Sequence, residues 1–258
     1  MITSAFDGNT QAIICPEELY AAHINGAHSE AYSDVCIITF SRDAVEAALQ
    51  TYDCETVSVR PSLGGDLPIY RLRYKKKKVT FYLSAITSAG AGMYLEEARC
   101  IIGARHYIMF GSCGILDQEI ASGKLVVPTE AYREEGFSYH YRPADSYIPV
   151  RNAEKVAAML KELGLPHVSG RTWTTDAIYR ETRGNMEKRR AEGCIAVDME
   201  CAGLQALCDF YGLEYYSFFY SGDLLDAPEW DRRILGQGEE RTHQLRNFDI
   251  ALEMAAML

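Results

Sequence analysis

Short apolar runs of strand length alternate with stretches of helical periodicity along almost the whole chain, and this alternation narrows the possible folds most. Val35-Cys36-Ile37-Ile38-Thr39-Phe40 is a strand-length run, followed by a helix through about Gln50 with Ser41 or Asp43 as its N-cap. Residues 56–86 read as a hairpin in which Ile69 to Tyr74 alternates, Lys75 to Lys78 forms a charged turn, and Val79 to Ile86 returns as a more buried strand. Four lysines between two β-rich runs fit a solvated hairpin tip better than a nucleic-acid patch. A helix over about 93–103 and a buried strand from His106 to Phe110 come next, and Gly111-Ser112-Cys113-Gly114 reads as a tight loop after that strand. Further strands are expected at 125–128, 168–175, 195–197 and 216–220, with helices at 151–163, about 184–192, about 200–211 and 239–258. No linker rich in Ser, Gly or Pro and no repeat interrupts the alternation. It predicts a single α/β domain over 1–258, with 1–34 as an N-terminal arm carrying a short helix around 16–22. Helices should cover both faces of a mostly parallel sheet, and in such sheets ligands sit at the carboxyl ends of the strands.

Bulk properties remove several classes of function. The formal charge of −10 argues against non-specific binding to a nucleic-acid backbone. No apolar stretch approaches the roughly 20 residues needed to span a bilayer, and residues 1–30 lack a basic start followed by an apolar run. The eight cysteines lie mostly in apolar segments with no CxxC pair, so they read as reduced core residues rather than a disulfide framework or a zinc site. The expectation is a cytoplasmic protein with no membrane, nucleic-acid or metal partner.

Four stretches carry candidate chemistry. Gly193 to Leu204 reads as a strand end entering a helix, with Asp198, Met199 and Glu200 at the join. Acids there suit the positive end of a helix; Glu200 is also placed to bind a sugar diol while Met199 covers the sugar's apolar face. Gly111 and Ser112 belong to a glycine-bracketed segment able to cradle an anion, although any tight turn can look the same. Asp223, after Phe219-Tyr220-Ser221-Gly222, is either a cap or a carboxyl whose pKa desolvation raises until it can donate a proton. Ile178 and Tyr179, in Thr174 to Thr182, can flank a flat base or simply pack.

The order of these stretches resembles the nucleoside phosphorylase/uridine phosphorylase family. Val197-Asp198-Met199-Glu200 resembles its V-[DE]-M-E-x-A-[GA] signature, and His23-Ile24-Asn25, Gly111 to Gly114, Thr175 to Tyr179 and Ser221-Gly222-Asp223 fall in its order and rough spacing over about residues 23–235. The resemblance implies a three-layer α/β/α sandwich around a twisted mixed sheet, assembled as dimers or hexamers. It implies cleavage of a nucleoside with phosphate as co-substrate and no cofactor. Met199 and Glu200 would hold the ribose, and His23 would reach the 5′ end of the substrate in a neighbouring subunit. Ile178 and Tyr179 would line the base, and Asp223 would protonate a leaving purine. Gly111 and Ser112 would belong to the phosphate loop.

The phosphate arginines of that family are the point of departure. One position holds Met109, and the Gly-Asp-Pro-x-Arg loop is replaced by Phe40-Ser41-Arg42-Asp43-Ala44, which leaves Arg42 as the nearest substitute. A related branch uses water and an activating acid, and here Ala44 occupies the acid's position. Three functions stay open: a phosphorylase with a rearranged phosphate site, which is the expectation adopted, a nucleosidase, and a silent nucleoside-binding protein.

Overall fold

Strand β1 (Val35–Thr39) is buried at all five positions, so it must be covered on both faces, and the sheet is built outward from it. The computed structural model describes residues 1–20, 32–61, 65–235 and 238–258. β1 pairs in parallel with β4 (Lys77–Leu83) on one edge and with β5 (His106–Ile115) on the other. Beyond β4 the sheet continues antiparallel through β3 (Leu67–Tyr74) and β2 (Cys54–Arg60).

On the other side β5 pairs in parallel with β10 (Glu214–Leu224) along its whole length. β10 meets β6 (Leu125–Arg133) antiparallel at Phe219 and Val126. β6 then runs parallel to β8 (His167–Thr174), and β8 parallel to β9 (Cys194–Asp198). β9 returns antiparallel to β5 at Gly114 and Ile115, while β7 (Tyr147–Pro149) extends β6. Five strands therefore close on themselves like a small barrel, and β1-β4-β3-β2 leave it as an open wing.

Helices complete a three-layer α/β arrangement around this mixed sheet. Helix α1 (Arg42–Thr51) packs on α6 (Gly238–Met257), which also covers β1, β4 and β5 and touches α3 (Ala153–Glu162). The second layer pairs α2 (Ser88–Ile102) with α5 (Cys201–Phe210), and α4 (Arg183–Ala191) lies against β9. Ser41 caps α1 as expected, its hydroxyl accepting from the N–H of Ala44 at 3.1 Å. All eight cysteines are free thiols, and five of them are buried. No described helix is long and apolar enough to cross a membrane.

Four expectations change. Gly111 to Gly114 is not a loop but the second half of β5, because β10 runs alongside it and supplies hydrogen-bond partners through Leu224. For the same reason Ser221 to Asp223 lies inside β10, where a bulge at Gly222 shifts the register. The lysine turn is also shorter: Tyr74 pairs with Lys77, leaving Lys75 and Lys76 at the tip. Helix α2 starts at Ser88, five residues earlier than the periodicity suggested, with Thr87 as its N-cap.

The two helices of the second layer touch where Gly203 faces Ser88. A methyl group on Gly203 would lie 2.5 Å from Ser88 Cβ, and Ser88 is fully buried. Gly203→Ala should destabilise the fold by about 1–3 kcal/mol through overpacking. The check is urea unfolding, with a lower midpoint at an unchanged slope.

Candidate active site

The site lies where β5 changes partners. Along the edge opposite β10, β1 pairs with it as far as Met109, and β9 joins it at Gly114. Among the described residues no strand pairs with Phe110 to Cys113 on that side, and a cleft of about 250 Å³ opens there. Gly111, Ser112 and Gly114 form its floor, Thr39 to Ser41 come from the end of β1, and Asp198, Met199 and Glu200 from the end of β9. This is the carboxyl-end crevice expected of parallel strands.

Asp198 organises the β9 end. One carboxylate oxygen accepts the N–H groups of Glu200 and Cys201 at 2.8 and 2.7 Å, and the other accepts the Thr172 hydroxyl at 2.7 Å. Thr174 adds a hydroxyl contact at 3.2 Å and also accepts the N–H of Ala202. The acid thus supplies the helix cap that α5 otherwise lacks. Burial pushes its pKa up to about 6 despite these bonds.

Glu200 is then fixed at the mouth of α5, where its Oε1 accepts the N–H of Thr87 at 2.8 Å. Burial, and secondarily the charge of Asp198, pushes it up to about 8. Thr87 holds φ 72° and ψ 151°, a conformation that β-branched residues avoid. That strained backbone aims its N–H at Glu200.

Asp223 faces this pair from β10, opposite Gly114 in the register. Its Oδ2 accepts the indole N–H of Trp230 at 2.6 Å. Its Oδ1 lies over Gly114, where an added Cβ would sit 3.2 Å from it. Burial raises the Asp223 pKa. Because Trp230 donates to Oδ2, a proton on this acid belongs on Oδ1, the oxygen over the cleft floor.

A further carboxyl, Glu181, lines the cleft and is pushed up to about 8 by burial and by the charges of Asp223, Asp198 and Glu134. Four carboxyl groups thus line the cleft and, among the described residues, no lysine, arginine or histidine does. Cys113 lies in the floor, but burial holds it as a thiol well above its ordinary pKa. No cluster of three or more His, Cys, Asp or Glu placed to hold a metal ion occurs among the described residues.

The sequence profile of the phosphorylase superfamily matches residues 34–256. The chain belongs to that superfamily. It is 26% identical to a purine nucleoside phosphorylase DeoD-type of Caldanaerobacter subterraneus subsp. tengcongensis over 189 residues, 70% of this chain and 78% of the relative. A protein of the same description from Alkaliphilus metalliredigens is 25% identical over 191 residues, again covering 70% and 78%. The fold is similar to a solved futalosine hydrolase mutant of Helicobacter pylori strain 26695, with a TM-score of 0.68, 14% identity, and 87% of this chain and 99% of that one covered.

Against the superfamily pattern, the candidate residues divide. Gly111, Ser112, Ile178, Met199, Glu200 and Asp223 all line the one cleft. Tyr179 does not; it is 96% exposed and borders an adjoining chamber. Arg42 is exposed at the first position of α1 and is not among the cleft's lining residues. His23 lies outside the described residues. Met109 is fully buried, its sulfur 4.0 Å from the Ser217 hydroxyl, so the position of one family arginine is apolar core. Ala44 is likewise buried and brings no acid. Sequence reasoning missed Glu181 and Trp230. Glu181 is a lone acid in a polar run, and Trp230 sits in a charged loop whose contact with Asp223 no local spacing announces.

The raised carboxyls set the sign of a pH effect. A carboxyl whose folded pKa exceeds its unfolded value of about 4.3 keeps a proton that the unfolded chain gives up, so its contribution to stability is lost as pH rises from there through about 8. Glu200→Gln removes this loss and retains an oxygen for the Thr87 N–H. Its thermal midpoint should exceed the parent's at pH 8, and the gap should nearly close at pH 5.

Proposed function

We propose that the protein cleaves the N-glycosidic bond of a nucleoside, purine preferred, with water as the nucleophile. The observation that carries the nucleophile is the charge of the cleft: four carboxyl groups and, among the described residues, no cation. A phosphate dianion needs charge-assisted donors, and the Ser112 hydroxyl brings no charge. Bond cleavage itself asks for what is there. Breaking C1′–N builds oxocarbenium character on the sugar and negative charge on the base.

In this reading Glu200 accepts the 2′ and 3′ hydroxyls and Met199 covers the sugar. Diol binding favours the ionised form of Glu200, so it releases a proton near neutral pH. Asp223, held by Trp230 with Oδ1 toward the cleft, gives its proton to N7 of the leaving purine as the C1′–N bond breaks; the water that bonds to C1′ sheds a proton to solvent, from which Asp223 is reloaded. General-acid donation of this kind is worth roughly 10²–10⁴-fold. The chemistry calls for no metal or organic cofactor. A homo-oligomer belongs to the same proposal, supported by exposed Met93 and Phe210 bordering one depression with Ile14 and Leu19 of the N-terminal segment.

Phosphorolysis is the second reading, favoured by the relatives described as purine nucleoside phosphorylases. Arg42, at the start of the helix that follows β1, is then the cation to test. Measuring free ribose against ribose 1-phosphate at several phosphate concentrations separates the two. Free ribose at every concentration is expected; ribose 1-phosphate rising with phosphate and falling in Arg42→Ala would establish the second reading instead.

Two substitutions test the roles. Asp223→Asn should lower kcat on inosine or adenosine about 10²–10⁴-fold while leaving the unfolding transition intact. Glu200→Gln should cripple turnover in the same protein that gains stability at pH 8. Parent-level turnover by either variant, or uridine cleaved much faster than the purine nucleosides, would remove the corresponding assignment.

A further inference from the structure

A second chamber of about 460 Å³ adjoins the cleft, and Ile178, Glu181, Asp223 and Leu235 line both. It is the larger of the two, and its lining includes the cations that the cleft lacks. Arg183 opens helix α4, and its Nη2 donates to the carbonyls of Ala227 and Pro228 at 3.0 and 3.1 Å. Arg232 donates from Nε to the carbonyl of Leu235 at 2.8 Å. Both arginines line the chamber, with the Trp230 indole and Met186 as its apolar part.

The joined cavity is therefore polarised. Its sugar end is lined by four carboxyls and, among the described residues, no cation, whereas the chamber sets Arg183 and Arg232 against Glu181 and Asp223, the two acids shared with the cleft. An anion entering it is drawn away from the sugar's reacting carbon and toward whatever the leaving base carries. If Asp223 protonates N7, the C6 substituent of the purine, next to N7 on the same edge, reaches into the chamber that Asp223 borders.

We propose that this chamber receives a purine extended at C6 by a short arm ending in a carboxylate, which Arg183 and Arg232 bind. The inference rests on the nucleoside-cleaving reading and names its substrate class. A planar guanidinium matches a carboxylate with two parallel donors, and the N-terminal turn of α4 adds favourable potential on the same side. Trp230 contributes twice, fixing the proton donor through its N–H and offering its ring face to the base or its arm.

The test compares two nucleosides of the same shape and different charge, N6-carboxymethyladenosine and its carboxamide, with adenosine as reference. The parent protein should show kcat/KM about tenfold higher for the carboxylate than for the carboxamide, which corresponds to about 1.4 kcal/mol. In the Arg183→Ala/Arg232→Ala double variant that ratio should fall to near one; a ratio taken within one protein is insensitive to the folded fraction. Equal rates for the two nucleosides in the parent, or a tenfold ratio surviving the double substitution, overturns the proposal. Calorimetric binding of the free bases, N6-carboxymethyladenine and its amide, probes the chamber without turnover. The same tenfold preference is expected there, and equal affinities or no binding would overturn the chamber assignment even if adenosine is cleaved. A free-base preference in a protein that cleaves no nucleoside would sink the proposed reaction and leave the chamber standing.

Discussion

Asp198 is the group on which the rest of the site depends. Its carboxylate bonds the backbone at the start of α5 and the two threonines of β8, so one side chain locks together a strand, its neighbour and the helix that follows. Glu200 is fixed only because of that lock. Removing the acid would leave two buried hydroxyls and two buried N–H groups in need of partners, and unmade bonds of that kind cost far more than a made one contributes. The Thr87 N–H completes the support from the opposite helix, given by a residue held at a positive φ that β-branched side chains avoid.

Desolvation then gives the acids their chemistry. Glu181 and Glu200 share a raised pKa near 8 for the same first cause, burial, and Asp223 moves in the same direction. Crowding so many carboxyls into one crevice is tolerable only while most of them are neutral. A ligand that brings hydroxyl donors to one and an acceptor nitrogen to another divides them into an ionised group and a proton donor, as different local environments do for paired acids elsewhere.

Much of this was legible in the chain. The strand-to-helix junction with Met199 and Glu200 announces itself by an apolar run changing period, and Asp223 by an acid beside apolar strand residues. The glycine-bracketed Gly111 to Gly114 was visible but read as a turn, because local sequence does not reveal that β10 runs beside it. Closure of the five-stranded ring was hidden for a related reason: the pairing that closes it, between β9 and β5, spans two residue pairs. Glu181 and Trp230 become functional candidates through contacts with residues far along the chain, and neither has a periodicity that would single it out. Arg42 illustrates the converse, a charge in the right stretch whose helix position turns it outward.

The closed ring also carries a consequence for the order in which the molecule assembles. The β3–β4 hairpin and its pairing with β1 join segments close in sequence and can form early. The ring needs β5 and β10, more than a hundred residues apart, and such distant pairings are slow to find. Until β10 docks, the edge of β5 that carries Gly111 and Ser112 has neither its long partner nor Asp223. During synthesis the N-terminal wing would therefore wait, partly formed, with an unpaired apolar edge exposed. Maturation of the crevice and burial of the edge most prone to aggregation are the same late event.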